Sequence, residues 1–232
     1  MHKRVYTGGT LQHVWYLYRK SARNVKRRKG IEAEGLYPGE GYTSEPPHAR
    51  LRALTAITIL KFMKYTFIKA DITRFGADAI VNAANSRLAG GGGVDGAIHA
   101  ASGPELPAAC RAIIAKIGSL PAGKAVITPA FAIKSARFII HTVGPIWRGG
   151  TEGEDDELAS CYRSVIALAT ENGVRTLAFP NISTGVYGFP KERAARIAHD
   201  TLTSIPALDA NFDEIVFVCF DNENLLLYRD LF

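Results

Sequence analysis

The chain is poor in cysteine, and this scarcity excludes several classes of protein. Its 232 residues include three cysteines, Cys110, Cys161 and Cys219, which are far apart and odd in number. They offer neither a disulfide framework nor a CxxC zinc site, and no HExxH motif is present. We therefore expect a cytoplasmic protein of a reducing compartment, with no metal and no cofactor.

Long apolar runs are also missing. No segment approaches the roughly 20 apolar residues that a membrane-spanning helix requires. The apolar stretch 51–62 is too short, and polar residues such as Arg52 and Lys61 interrupt it. We expect no membrane partner.

Acidic residues are absent before Glu32, and the positive charge is confined to the beginning of the chain. Residues 1–60 contain 11 Lys/Arg and 4 Asp/Glu, a net charge of +7, whereas residues 61–232 contain 17 and 18, a net charge of −1. The nearly neutral body gives no electrostatic case for nucleic-acid binding. Nucleic acid is not expected as a partner, and a nucleic-acid-associated protein is a rival that only the basic start supports.

Residues 1–60 show no periodic pattern. Three interpretations stay open: a disordered basic extension, a targeting peptide, or a mis-assigned start with Met63 as the true first residue. The clear patterns begin at Met63, so residues 63–232 are expected to form the folded domain.

Apolar, β-rich runs alternate with amphipathic segments after Met63. Strands are predicted at 65–70, 79–83, 125–129, 138–143, 176–180 and 215–220. Helices are predicted at 95–101, 106–117, 157–172, 191–205 and 222–231. Continuous Val/Ile-rich strands separated by helices indicate a largely parallel sheet buried on both faces. The fold class is α/β, a three-layer α/β/α sandwich.

Four consecutive glycines, Gly90–Gly93, follow the second predicted strand and open a predicted helix. Glycine accepts positive φ and close approach of a ligand, and free N–H groups at a helix start favour phosphate. Asn82, Asn85 and Asp95 flank the run, which suggests a nucleotide with a further group beyond its phosphates. The formal GxGxxG match is weak, because the turn is too long and no acid ends the next strand. A Walker A loop is excluded because no GK[ST] follows the glycines.

Other candidate residues fall at the ends of predicted strands, where open α/β sheets bind ligands. Asp71 follows the first strand, a second glycine-containing loop spans 181–188, and Phe220 ends the last strand. Two glycine loops at one sheet edge could clasp a diphosphate. Ser183 and Thr184 lack a GxSxG elbow, so phosphate binding is a better role for them than nucleophilic attack.

Asp95 has two possible roles. A carboxylate at a helix N-terminus can complement the helix dipole, or it can orient and deprotonate water. The dipole should keep it ionised and weakly basic. His99 lies one turn later and could orient the site, whereas His141, in an apolar strand, has the pattern of a core histidine. Cys110 and Cys161 fall in helix patterns and are expected to be packed.

Several motifs, in order, resemble the macrodomain family and especially its MacroD-type branch of O-acetyl-ADP-ribose deacetylases and mono-ADP-ribosyl hydrolases. They are Asp71-Ile-Thr, Val81-Asn-Ala-Ala-Asn85, Gly90-Gly-Gly-Gly-Val-Asp-Gly-Ala-Ile-His99, His141-Thr-Val-Gly-Pro145 and Ile182-Ser-Thr-Gly-Val-Tyr-Gly188. The resemblance runs from about Tyr65 to Phe232. It implies a mixed, largely parallel sheet with ADP-ribose in a cleft along its edge.

The resemblance also implies a role for each candidate residue. Asp71 and Ile72 would bind adenine, and Phe220 would stack near it. The diphosphate would lie between two sets of residues: Gly92, Gly93 and Val94 on one side, and Ser183, Thr184, Gly185 and Val186 on the other. The distal ribose would be surrounded by Asn82, Asn85, Asp95 and Tyr187.

The branch's catalytic pair maps onto Asn85 and Asp95. The implied function is hydrolysis of an ester at the distal ribose, with Asn85 positioning the ribose hydroxyls and Asp95 activating water. The expected partners are ADP-ribose, its esters and mono-ADP-ribosylated proteins, and the expected state is a monomer. The alternative is a reader that binds ADP-ribose without turnover, for which a water-activating carboxylate has no use.

The charge and motif distribution predicts that residues 1–62 are dispensable. A chain starting at Met63 should fold, melt near the full-length temperature and keep its ADP-ribose affinity, because every motif lies after residue 63. Thermal melts of the full chain and of chains starting at Leu51 and Met63 check this. A large drop for the Met63 start alone would show instead that residues 51–62 add an edge strand.

Overall fold

The structure, a computed structural model, describes residues 63–232. The strands are β1 (Lys64–Lys69), β2 (Ala79–Ala83), β3 (Ala125–Pro129), β4 (Phe138–Thr142), β5 (Thr176–Phe179) and β6 (Glu214–Cys219). The helices are α1 (Gly93–Ser102), α2 (Glu105–Ile117), α3 (Glu154–Glu171), α4 (Lys191–Ser204), α5 (Leu208–Asn211) and α6 (Asn222–Leu231). All predicted strands and helices are present within a few residues. A 3-10 turn at Ile72–Arg74 and the four-residue α5 were not predicted, because neither is long enough to show a period.

The strands form one sheet in the order β1-β6-β5-β2-β4-β3. All neighbours are parallel except β3 and β4, which run antiparallel. The eight residues between β3 and β4 are too few for a parallel crossover, which needs about a dozen or more. The prediction of an α/β/α sandwich with a mixed, largely parallel sheet is confirmed.

Each face of the sheet has its own apolar core, because neighbouring strand residues point to opposite faces. Val81 and Ile140 pack with α3, α4 and α6. Ile80 and Ile139 pack with α1 and α2 on the other face. Both faces are therefore covered, which explains why the strands appear in the sequence as unbroken apolar runs.

The centre of the sheet contains a topological switch point between β2 and β5. The chain leaves β2 for α1 on one face and leaves β5 for α4 on the other. The two loops therefore separate and open a crevice at the carboxyl ends of these neighbouring strands. This topology brings the glycine run and the loop 181–188 to the same edge.

Within residues 63–232, no helix is long and apolar enough to cross a membrane. The three cysteines are buried and unpaired, as expected of packed thiols. The predictions for residues 1–60 fall outside the described residues. The domain boundary, the monomeric state and the cytoplasmic location stay predictions.

Candidate active site

A buried carboxylate lies at the centre of the crevice. Asp95, the third residue of α1, is 5% exposed. The amide of Asn82, at the end of β2, donates from Nδ2 to Asp95 Oδ1 at 2.8 Å. The amide of Asn85 donates to Asp95 Oδ2 at 3.2 Å. Each carboxylate oxygen thus accepts from one asparagine, and the structure brings together the three side chains that flank the glycine run in the sequence.

The Asp95 carboxylate lies in the first turn of α1, where its charge complements the helix dipole, but it makes no cap hydrogen bond with the described part of the chain. Among the described residues, its carboxylate accepts from the two asparagines, and Gly92 at the N-cap makes no side-chain cap. The hydrogen bonds of Asp95 join α1 to β2 and to the loop that follows it. The first N–H groups of α1 consequently remain free to meet an anionic ligand.

Burial raises the pKa of the Asp95 carboxyl above its usual value, against the lowering effects of the Asn82 hydrogen bond, the His99 charge and the Asn85 hydrogen bond. The sequence-based expectation of a weak base considered only the helix dipole, whereas the packed structure adds desolvation, which raises the pKa. His99 Nε2 lies 3.4 Å from Asp95 Oδ1, on the same helix face as predicted.

The hydrogen-bonding capacity of Asn85 is used within the protein. Its Nδ2 donates to the carbonyl of Gly90 at 2.8 Å as well as to Asp95, and its Oδ1 accepts from the backbone of Arg87 and Ala89. Both hydrogens and both lone pairs thus have partners. Asn85 therefore shapes the loop and holds Asp95, and its role toward the ribose hydroxyls, which the resemblance implies, stays a prediction.

The glycine run owes its shape to two left-handed residues. Gly90 and Gly93 have φ of +75° and +59°, whereas Gly92 is extended with φ of −97°. Gly92 and Gly93 are exposed at the start of α1, and a Cβ on either would meet no atom within 4 Å. The space in front of the helix terminus is therefore open, as a phosphate site requires.

The loop after β5 forms the other wall of the crevice. Ser183 is buried with φ of +64°, and its hydroxyl has no hydrogen-bond partner within residues 63–232. Gly188 N–H donates to the Gly185 carbonyl at 2.9 Å, which closes the turn. Val186, at its tip, is 95% exposed. A buried hydroxyl without a partner beside backbone N–H groups suits phosphate oxygens.

Two glycines that the sequence reasoning did not single out allow close packing around the crevice. A Cβ on Gly144, after β4, would lie 2.1 Å from Ser183 Oγ, and a Cβ on Gly96 would lie 2.3 Å from the Gly91 carbonyl oxygen. Both residues occur in the motifs quoted above. Their spacing gives no hint of these contacts, which arise between separate elements.

The loop after β4 supports the wall formed by the loop after β5. Trp147 N–H donates to the Tyr187 carbonyl at 2.9 Å, and the Trp147 ring lies 4.7 Å from that of Phe189. The carboxylate of Glu154 accepts from three backbone N–H groups of this loop, those of Arg148, Gly150 and Glu152. Sequence reasoning missed these contacts, because the segment has no regular period.

Asp71 and Phe220 follow the neighbouring strands β1 and β6, at the far end of the crevice. Hydrogen bonds from the Thr73 hydroxyl and N–H, together with the Arg74 charge, lower the pKa of Asp71. Ile72 is buried behind it, and Phe220 is 89% exposed at the mouth. An exposed aromatic ring beside a carboxylate acceptor suits a nucleobase.

A switch-point crevice with two glycine loops, a helix N-terminus and an exposed aromatic ring is typical of α/β proteins that bind nucleotides. The Macro domain family model matches residues 81–198. The chain belongs to the macrodomain family.

Relatives of known sequence agree with this assignment. A macro domain-containing protein of Listeria monocytogenes is 54% identical over 171 residues, which cover 73% of this chain and 97% of the relative. An O-acetyl-ADP-ribose deacetylase of Cronobacter turicensis is 51% identical over 164 residues, which cover 71% and 93%. These names bear out the prediction of a macrodomain and of a hydrolase.

Solved structures show the same fold. The Oceanobacillus iheyensis macrodomain with ADP is 40% identical with a TM-score of 0.68, covering 74% of this chain and 90% of that one. The Trypanosoma brucei macrodomain in complex with ADP-ribose is 37% identical with a TM-score of 0.61, covering 72% and 68%.

We predict that the start of α1 binds the diphosphate. Gly92→Glu should weaken ADP-ribose binding by tenfold or more. Its carboxylate would lie within about one Debye length of the diphosphate, where salt screens the repulsion between the two charges only partly. Gly92→Gln, of the same shape without the charge, should weaken it less. Calorimetric titration measures the affinities, and melting temperatures should stay unchanged because the position is open. Wild-type affinity in both variants would place the phosphates elsewhere.

Proposed function

We propose that this macrodomain binds ADP-ribose and hydrolyses an ester at its distal ribose. The ester is either that of O-acetyl-ADP-ribose or that of a mono-ADP-ribosylated Asp or Glu side chain. One observation carries the proposal: a buried carboxylate of raised pKa, held by two asparagine amides beside an open helix N-terminus. A relative 51% identical named O-acetyl-ADP-ribose deacetylase supports it.

The proposed ligand lies along the crevice from the end of β1 to the start of α1. Adenine meets Asp71, Ile72 and Phe220. The diphosphate lies between Gly92–Val94 and Ser183–Val186, where the helix N-terminus and the unpartnered Ser183 hydroxyl favour anionic oxygens. Tyr187, half-buried beside that loop, packs against the distal ribose.

The proposed reaction is attack of water on the acyl carbonyl. Asp95 accepts a proton from the water while the oxygen of that water bonds to the carbonyl carbon. The bond from that carbon to the ribose oxygen then breaks, and the ribose oxygen takes back the proton held by Asp95, which restores the carboxylate. The products are ADP-ribose and a carboxylic acid. Asn82 and Asn85 act as positioning residues, since their amides hold the two oxygens of Asp95.

The structure favours hydrolysis over a reader without turnover. Burying a carboxylate is costly unless hydrogen bonds compensate. A reader would need phosphate and adenine contacts but no buried base beside the ribose. Raising the pKa of Asp95 moves it toward the range in which a general base is effective.

Asp95→Ala should separate chemistry from binding. Turnover of O-acetyl-ADP-ribose should fall roughly 10²–10⁴-fold, as expected for loss of general base assistance. Affinity for the product ADP-ribose should stay within about tenfold, because the phosphate and adenine contacts remain. Chromatography of the released ADP-ribose measures the turnover, and calorimetric titration measures the affinity for ADP-ribose.

The matched control is Asp156→Ala, which removes an exposed carboxylate from α3 and should change neither quantity. Undiminished turnover in Asp95→Ala would remove Asp95 from the mechanism. Tight ADP-ribose binding by a wild-type protein that hydrolyses neither ester would favour the reader instead.

The pH dependence of turnover should reflect the ionisation of the buried Asp95 carboxyl. Only ionised Asp95 accepts a proton, so kcat should fall as acid protonates it. Because burial raises its pKa, the loss should begin at higher pH than for an exposed aspartate. Initial rates at saturating substrate from acidic to neutral pH check this. An acid limb at the ordinary aspartate pKa would contradict the assignment.

A further inference from the structure

A row of three polar side chains crosses the otherwise apolar sheet beneath α1. Asn82 of β2 is registered with His141 of β4, and Thr128 of β3 lies diagonally across from His141 in the antiparallel pair. All three are buried, on the face that carries Ile80 and Ile139. The sequence suggested a core histidine at position 141, and the structure connects that histidine to the candidate site.

The hydrogen bonds along this row have a defined direction, which Asp95 sets. An ionised carboxylate only accepts, so Asn82 must turn its NH₂ group toward Asp95 Oδ1, 2.8 Å away. The opposite amide orientation would place two oxygens against each other. The second hydrogen of the same NH₂ group points to His141 Nδ1 at 3.1 Å.

His141 Nδ1 is therefore the acceptor, and the ring proton resides on Nε2. Nε2–H donates to Thr128 Oγ1 at 3.0 Å. The ring is neutral, since burial and then the His99 charge lower the pKa of His141 to about 3. Asn82 Oδ1 has no partner within residues 63–232, so the row ends there.

We infer that His141 is a positioning residue for the Asn82 amide, and that Thr128 holds the imidazole ring in place by accepting from its Nε2–H. The inference rests on the proposed role of Asp95 as the base, because Asn82 in turn holds Asp95 Oδ1. An aliphatic residue at position 141 would pack as Ile139 does but would leave an Asn82 hydrogen without an acceptor. The amide could then rotate and release the carboxylate.

Thr128 offers the sharpest test, because it lies in β3 and belongs to neither wall of the crevice. Thr128→Val keeps the shape but removes the hydroxyl, so Nε2–H is buried without an acceptor, and the ring loses the hydrogen bond that holds its Nδ1 toward the Asn82 amide. We expect kcat for O-acetyl-ADP-ribose to fall roughly 10–100-fold, the range for lost orientation of a catalytic group. The dissociation constant of ADP-ribose should remain within about threefold, since the crevice walls are untouched.

Thr128→Ser serves as the conservative variant. It keeps the hydroxyl and loses a methyl group, so it should restore most of kcat while melting below Thr128→Val. A role in packing alone predicts the reverse ranking in kcat, with valine the milder change there as well as in the melting temperature. Thr201→Val, at a buried threonine of α4 on the opposite face of the sheet, controls for the general effect of the substitution and should leave kcat unchanged.

The tautomer itself can be measured by the ¹⁵N chemical shifts of the His141 ring. The wild type should show a protonated Nε2 and a bare Nδ1. A protonated Nδ1 in the wild type would overturn the inference whatever the activity. If the wild type hydrolyses neither ester, the proposed function fails, and the ring signal still decides whether His141 accepts from Asn82.

Discussion

The buried carboxylate of Asp95 is the constraint on which the rest of the site depends. A charge removed from water is tolerated only where hydrogen bonds or opposite charge replace its hydration. Here the replacement comes from Asn82 and Asn85, with His99 nearby. Because the carboxylate only accepts, it dictates how both amides are turned, and through Asn85 it fixes the Gly90 carbonyl and the path of the glycine run.

The same carboxylate links elements that are distant in sequence. Through Asn82 it joins α1 to β2, and the Asn82 NH₂ group extends the connection to His141 in β4. These bonds lie in a region that is otherwise sealed by aliphatic side chains, where an unpaired polar atom is costly. These hydrogen bonds therefore fix the orientation of the polar side chains, which apolar packing alone would not determine.

The sheet topology determines where the crevice opens beside this hydrogen-bond network. Two neighbouring parallel strands send their chains to opposite faces, and the crevice opens between their loops. On one side stands the open N-terminus of α1, and on the other the loop of Ser183, which packs closely against Gly144. The β4–α3 loop, held by Glu154, braces that second wall.

The sequence alone predicted the six strands, because each is an apolar run bounded by polar or turn residues. It also predicted that Asn82, Asn85 and Asp95 lie at one edge of the sheet, because strand ends and helix starts converge there in an α/β protein. It did not predict that β3 runs antiparallel to β4. The short loop between the two strands implies this direction only if they are neighbours in the sheet, and the sequence does not show which strands are neighbours. It did not predict the burial of Asp95, which raises the pKa of that carboxyl, because burial is a property of the packed protein.

Local pattern thus determined the elements, the edge at which the site forms and the residue types available there. The tertiary structure decided the protonation and hydrogen-bond direction of those residues, including the saturated amide of Asn85 and the acceptor nitrogen of His141. The physical reason is that secondary structure follows from periodicity along the chain. Desolvation and hydrogen-bond partnership depend instead on which side chains from separate elements exclude water from one another.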